Sequence, residues 1–399
     1  MSELLTIDEA LARIVEHAQP LTTEVVRASD ALGRVLCEPA LAHVDLPPFP
    51  SSAMDGFALR AVDAPGELPI AFRVAAGSPP PGPLARGAAA GISTGATVPD
   101  GADAVVPVEV VDERDSRVVI HERVTAGQHV RPRGGDVRAG DTVVSPGARL
   151  GAVQVGALAA TGIAEVVCSR RPRVAVLATG SELRAAGDEL SAGQIYESNR
   201  AMIAAVLGRA GAEVDVLAVV EDDAASHRKA VDHGLRADVL VTSGGVSMGE
   251  HDLVRRTAAE LGVEEVFWGV AVKPGKPLSF GVRNRTLVFG LPGNPVSSLV
   301  GALVFVRTAL LALQGAAEPH PRYAHGVMST TLGRNPQRDE FVRARRVDDG
   351  DAIRLEPISG QESHMIARAA MADALIHVPR GDGDISAGSL ARFLALDEY

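Results

Sequence analysis

The sequence predicts a multidomain protein of mixed α/β and β structure: a central doubly wound α/β domain, a β-rich region before it, and a small β-barrel or sandwich after it. Three observations carry this expectation. Proline-bounded β-like runs fill the stretch beyond the first helix. From Pro172 to Leu313 short apolar strands alternate with helical stretches. Beyond Arg322 the helical signal largely stops.

The elements follow in chain order. Leu4, Ile7, Leu11, Ile14 and Val15 recur at helical spacing, with Thr6 or Ser2 available as cap. Pro47, Pro48, Pro50, Pro65, Pro69, Pro79, Pro80, Pro81 and Pro83 then cut the chain into short pieces, among them the runs Ala104–Val111 and Arg117–Val124. Arg173–Ala178 is a continuous apolar run, as in a strand buried on both faces. A helix is expected at Arg200–Arg209, with Ser198 or Asn199 as cap and Gly211 beyond its end. Strands at Val214–Val220 and Val239–Thr242 alternate with helices at Ala224–His233 and Leu253–Leu261. Strands at Glu265–Trp268 and Leu287–Phe289 and a long apolar helix at Val296–Leu313 complete the unit. Phe341–Val347, an Asp349-Gly350 turn and Ala352–Pro357 read as a hairpin, followed by strands at Leu375–Val378 and Leu390–Leu396.

Composition narrows the function classes. A chain of 399 residues has room for several domains. Its 39 basic and 50 acidic side chains give a net charge of −11, which disfavours nucleic acid as a partner and leaves a small anionic substrate open to local basic groups. The longest apolar run, Leu299 to Val306, is cut by Arg307 and is too short to span a membrane. The N-terminus lacks the basic and apolar stretches of a signal peptide. Cys37 and Cys168 stand in no metal-ligand spacing and read as buried thiols. Together these features point to a reducing cytoplasm.

Ligands of open α/β sheets bind beyond the carboxyl ends of the strands. Those ends run into Thr179-Gly180-Ser181-Glu182, Glu221-Asp222-Asp223, the stretch from Ser243-Gly244-Gly245 through Ser247 to Asp252, and Gly290-Leu291-Pro292-Gly293-Asn294-Pro295. Glycines let backbone N–H groups approach an anion, and the helix that starts after Pro295 adds a favourable dipole. The hydroxyls of Thr179, Ser243 and Ser247 can donate to oxyanions. The carboxylates of Glu182, Asp222 and Asp252 repel an anion unless a cation lies between, and their hard oxygens suit Mg²⁺. Lys273 and Lys276 supply positive charge for phosphate. Singly, each has a plainer reading: Glu182, Asp222 and Asp252 as helix caps, Ser243-Gly244-Gly245 as a turn, the lysines as solvated, and Pro292 to Pro295 as a rigid helix entry. Their joint placement at one sheet edge favours a site. Gly269 to Lys276 has one residue too many for a phosphate-binding P-loop, and Gly244-Gly245-x-x-x-Gly249 is not the dinucleotide fingerprint.

The motifs Ser52-Ala53-Met54-Asp55-Gly56-Phe57-Ala58, Thr94-Gly95-Ala96, Gly134-Gly135-Asp136, Thr179-Gly180-Ser181-Glu182-Leu183, Ser243-Gly244-Gly245-Val246-Ser247, Lys273-Pro274-Gly275-Lys276-Pro277 and Gly290 through Ser297 occur in order along nearly the whole chain. In this set the sequence resembles the molybdopterin molybdenumtransferases, which include the E domain of gephyrin. The resemblance implies a discontinuous linker domain from 1–45 and 141–171 that also carries the N-terminal helix. It further implies a β-rich domain inserted at 46–140, a molybdopterin-binding-like α/β domain at 172–320 and a C-terminal β-barrel at 321–399. It implies an elongated homodimer with a composite active site, and dealings with other cofactor-biosynthesis proteins and acceptor apo-enzymes. The implied reaction joins molybdate to adenylated molybdopterin, with release of AMP and help from Mg²⁺.

By motif position, Glu182, Asp222 and Asp252 resemble the metal and substrate acids. Lys273, Ser363 and Thr94 resemble oxyanion contacts, and Asp55 and Asp136 acids from the smaller domains. Gly135 stands where the family often has an acid, and Ser93 where it has a larger apolar residue. The alternatives are an adenylyltransferase of molybdopterin, or a scaffold protein on the same fold. The domains outside the α/β unit speak against the first, and the acidic cluster against the second.

Overall fold

A computed structural model describes residues 4–219, 224–244, 253–348, 350 and 352–398. The first helix is Ile7–His17. Thr6 caps it by accepting from the Glu9 N–H, while the Glu9 carboxylate accepts from the Thr6 N–H, so two otherwise unbonded end groups are satisfied. Its apolar face, Ile7, Leu11 and Ile14, packs into the core of the α/β unit.

That unit is built on a six-stranded sheet. Glu213–Val216, Arg173–Ala178, Val239–Ser243 and Thr286–Leu291 lie side by side and parallel. Ser279–Arg283 and Glu264–Trp268 then extend the sheet with antiparallel pairings. Because side chains alternate along a strand, the same run serves two cores. Val174 and Val176 meet the helices Asn199–Arg209 and Pro295–Leu313 on one face. Ala175 and Leu177 meet Val231 and Ala258, from Ala224–Gly234 and Leu253–Glu260, on the other. Helices on both faces make the doubly wound arrangement expected from the alternation of elements.

The differences in detail have physical causes. The strand expected at Val214–Val220 ends at Val216, on the exposed edge of the sheet. The Ser279–Arg283 strand was not expected. Its hairpin to Thr286–Leu291 turns at Asn284, which takes the left-handed conformation (φ 56°) without a glycine to announce it. The run Ala104–Val111 is interrupted by a 3₁₀ turn at Val108–Val110. Asp349 of the expected C-terminal turn lies outside the described residues, but the hairpin strands Asp339–Asp348 and Ile353–Pro357 do pair.

Pro295–Leu313 is long and apolar enough to cross a membrane, yet 94% of it is buried inside the protein, as befits a core helix. Its middle, Ala302–Val306, is a π-helical segment. Around this unit, 28–40 and 144–168 share one core through Ala28, Leu36, Val144, Leu158 and Cys168. The stretch between them forms its own six-stranded sheet, in which Phe57, Leu59, Val106 and Val118 are buried. At the C-terminus, Asp339–Asp348, Ile353–Pro357, Ala324–Met328, Leu390–Ala395 and Ala374–Val378 close into a five-stranded barrel, the last strand pairing back to the first. Phe341, Leu375 and Leu394 of the barrel join the α/β core.

On the barrel, His377 is buried between the rings of Tyr323 and Phe341. Its Nδ1 accepts from Arg392 Nε at 2.7 Å. Burial and the Arg392 charge lower its pKa to about 4, against the opposing pull of Asp339 and Asp8. The folded protein therefore keeps His377 neutral where the unfolded chain would protonate it. The stability this group contributes is complete above pH 6.5 and is lost as pH falls toward 4. We expect wild-type protein to lose about 2 kcal/mol more than His377→Gln between pH 7 and pH 5 in urea unfolding. Parallel pH profiles for the two proteins would contradict this.

Candidate functional site

A cleft of about 670 Å³ opens at the carboxyl edge of the central sheet. Thr179 and Glu182 reach it from the loop after Arg173–Ala178. Ser243 and Gly244 reach it from the end of Val239–Ser243, and Pro292, Gly293, Asn294 and Pro295 from the connection into the long helix. Tyr196 and Glu197 contribute from the segment before the helix Asn199–Arg209, Asn199 from its first residue, and His364 and Ile366 from the C-terminal unit. Seven predicted site residues thus share one cleft with Glu182. Asp222, Gly245, Ser247 and Asp252 lie outside the described residues.

The loops meet closely because they carry little side chain. Gly244 has φ +91°, and a Cβ there would lie 3.1 Å from the Thr179 carbonyl oxygen. A Cβ on Gly293 would lie 3.7 Å from Gly244 Cα. Glu182 is exposed and its carboxylate lies over Gly180, where a Cβ would come 2.6 Å from Glu182 Oε2. Ser243 Oγ is 3.3 Å from Ser298 Oγ, and Ser298 Oγ donates to the Pro292 carbonyl. Glu197 is held by Arg200, whose backbone N–H and Nε donate to its carboxylate at 2.8 and 3.0 Å.

The C-terminal unit closes one side. Asn294 does not cap the helix it precedes. Its Nδ2 donates instead to Ser363 Oγ at 2.8 Å, and the Val296 N–H donates to the Ser363 carbonyl at 3.0 Å. One of the helix-start N–H groups expected to face an anion is therefore already bonded. Arg343, fully buried, anchors the loop that carries Ser363 and His364. Its Nη1 donates to the Met365 carbonyl (2.8 Å), and its Nη2 to those of Gly360 (2.7 Å) and Glu362 (3.1 Å). Lys273 pairs in register with Glu340 of the barrel and donates through Nζ to Glu340 Oε1 at 3.1 Å. Lys276 is exposed on the same loop.

Asp55, Thr94 and Asp136 do not line this cleft of their own chain. They lie on the six-stranded insert and its adjoining loops. The Thr94 N–H donates to Asp55 Oδ1 at 2.7 Å, and the Gly95 N–H to the Ser52 carbonyl at 2.8 Å. Gly56 is required there, since a Cβ would collide with the Val106 carbonyl oxygen at 2.0 Å. Val130 and Arg131 pair with Ser52 and Ser51, while the Asp136 N–H donates to the Leu46 carbonyl. The Gly134-Gly135-Asp136 turn is thus held to the segment that leads into Asp55. All three residues are exposed.

Sequence reasoning missed Asn199, Glu197, Tyr196, His364 and Arg343. Asn199 stood at a helix start and read as a cap. Only its position beside the carboxyl edge hinted at more. For Mg²⁺, the donor chemistry fits: an exposed carboxylate beside two hydroxyls is a hard-oxygen set. Among the described residues no group of three or more His, Cys, Asp or Glu is placed to hold a metal ion. Asp222 and Asp252 belong to the undescribed part.

Family models match three consecutive stretches: the MoeA N-terminal region (domain I and II) at residues 5–162, a probable molybdopterin binding domain at 175–312, and the MoeA C-terminal region (domain IV) at 325–396. The molybdopterin molybdenumtransferase of Haemophilus influenzae is 34% identical over 392 residues, spanning 96% of this chain and 97% of that protein. Molybdopterin molybdenumtransferase 2 of Mycobacterium tuberculosis is 36% identical over 394 residues, spanning 95% and 96%. The solved structure of the molybdopterin biosynthesis MoeA protein of Pyrococcus horikoshii OT3 aligns with a TM-score of 0.83 at 27% identity, covering 98% of this chain and 99% of that one.

Arg343→Met removes the donors that hold the Gly360–Met365 carbonyls. We expect it to cost about 2–4 kcal/mol of stability and to speed amide exchange across 360–366. Unchanged exchange in that loop would show that the loop is held by other contacts.

Proposed function

This chain belongs to the molybdopterin molybdenumtransferase family, and we propose that it inserts molybdate into adenylated molybdopterin and releases AMP, completing the molybdenum cofactor. The observation that carries the reading is the cleft at the sheet's carboxyl edge, where glycine-lined loops, hydroxyls and an exposed carboxylate converge. The match continues through the N-terminal and C-terminal regions, beyond the molybdopterin binding domain. That extent supports a molybdenumtransferase over an adenylyltransferase built on the α/β unit alone.

Each residue has a role in this reading. Thr179, Ser243 and Ser247 donate to oxyanions, with the Gly244-Gly245 and Pro292–Pro295 backbones lining the pterin and phosphate path. Lys273, steered by Glu340 and only half exposed, offers its ammonium to the substrate phosphate together with Lys276. Ser363, fixed by Asn294, presents its hydroxyl from the C-terminal side. Glu182, Asp222 and Asp252 orient the incoming water or molybdate oxygen. They would also hold Mg²⁺, which when bound neutralises phosphate charge and eases departure of AMP.

The protein acts in the cytoplasm as a homodimer in which one chain's Asp55, Thr94 and Asp136 complete the other's cleft. That none of the three lines its own chain's cleft supports this, as does the closed symmetry usual for homo-oligomers. Other cofactor-biosynthesis proteins would supply the substrate and acceptor apo-enzymes would take the product. Neither nucleic acid nor a membrane takes part.

Molybdate-dependent release of AMP from adenylated molybdopterin tests the reaction. Asp222→Ala and Asp252→Ala should lose turnover while melting within a few degrees of wild type, since the sequence sets both beyond strand ends, where substitutions usually shift stability by only about 0.5 kcal/mol. Wild-type turnover in either folded variant would remove that acid from the site.

Subunit mixing tests the shared site. Homodimers of Asp55→Ala and of Asp222→Ala should both be inactive. Their mixed dimer should recover one intact site, because one chain then supplies Asp55 and the other Asp222. A mixture that exchanges subunits yet stays inactive would place the whole site within one chain or discard one of the two acids.

A further inference from the structure

At the floor of the cleft, Asn199 is buried to 8% exposure. Its Nδ2 donates to Ser243 Oγ at 2.8 Å and to the Gly293 carbonyl at 2.7 Å. The carbonyl can only accept, so the amide nitrogen must face it, and the orientation of the side chain follows. The two partners lie on two loops that meet glycine to glycine, Gly244 against Gly293. The other end of the amide makes no such bond: Oδ1 is buried without a hydrogen-bond partner among the described residues.

A buried acceptor left unsatisfied is costly, and native proteins rarely keep one without a use. Stability alone would favour an apolar side chain of similar volume. Such a replacement would strand little, because Ser243 Oγ retains Ser298 Oγ and Gly293 is itself an exposed residue. We propose that Asn199 is a positioning residue for the reaction: its amide fixes the Ser243-Gly244 turn against Pro292-Gly293, setting the gap in which the substrate's pterin and phosphate groups lie, at a cost in fold stability. This rests on the reaction proposed above.

The test is Asn199→Leu in the full-length protein, with melting temperature, molybdate-dependent AMP release and calorimetric binding of adenylated molybdopterin measured together. The expected result is a melting temperature equal to or above wild type. With it should come a fall in kcat/KM of roughly 10- to 100-fold, the scale on which small misplacements of reacting groups act. The fall should appear in kcat more than in KM, and binding should weaken less than turnover. A melting temperature lowered by several degrees overturns the proposal, because the amide would then be an ordinary structural tie. Unchanged kcat at an unchanged melting temperature overturns it as well. If the wild type itself releases no AMP on addition of molybdate, the reaction is at fault. The melting comparison still decides whether Asn199 is kept at a cost.

Discussion

A parallel sheet buried on both faces confines polar chemistry to its ends. In this protein Val174, Val176, Ala175, Leu177 and Leu240 are all within 2% of complete burial. At these positions both faces of the sheet are filled by apolar packing, which disfavours an unpaired polar group there. The strands must shed their polar residues at their carboxyl ends, and there Thr179, Ser243 and Pro292 follow directly. The N-terminal helix and the barrel strengthen the same constraint. Ile14 and Phe341 enter the core on the side of the long helix, so the units around the sheet are fastened through apolar contact.

The layering was legible in the sequence because the signals were local and repeated. Arg173–Ala178 announced a doubly buried strand by lacking any polar alternation, and Leu4, Ile7, Leu11, Ile14 and Val15 announced the first helix by their spacing. The Ser279–Arg283 hairpin was not legible, because its turn uses Asn284 in place of the usual glycine. The cleft's loops could be read as a group, from their order along the sheet edge. The roles of Asn199 and Arg343 could not. An asparagine at a helix start has a sufficient local explanation as a cap, and an arginine within an alternating strand has one as a solvated side chain. Ser243 and Gly293 lie far along the chain from Asn199, and the loop that Arg343 holds belongs to a later part of the barrel. Partnerships of that kind exist only after folding.

The junction between the α/β unit and the barrel shows how polar side chains serve both structure and site. Arg343 spends its donors on main-chain carbonyls of one loop, and Ser363 of that loop meets both Asn294 and the Val296 N–H. Lys273 and Glu340 join the same two units at the strand pair beside them. The wall of the cleft is therefore as rigid as this small network. Within it the Lys273 side chain is 52% exposed against 16% for Glu340, so the ammonium can turn toward solvent.

The π-helical segment Ala302–Val306 has a consequence for how this chain tolerates change in length. A wider turn places one extra residue in the helix relative to regular α-geometry. Before it, Pro295–Gly301 carries the residues that shape the cleft. After it, Arg307–Leu313 packs on the N-terminal helix. In a regular α-helix one residue more or less rotates one half against the other by about 100°, and either the buried face of Arg307–Leu313 or the entry at Pro295 would then point the wrong way. The wide turn absorbs that residue, so both halves keep their faces. A one-residue deletion within Ala302–Val306 should therefore be better tolerated than one within Pro295–Gly301 or Arg307–Leu313. Related chains can lose this residue and still hold both ends of the helix in place.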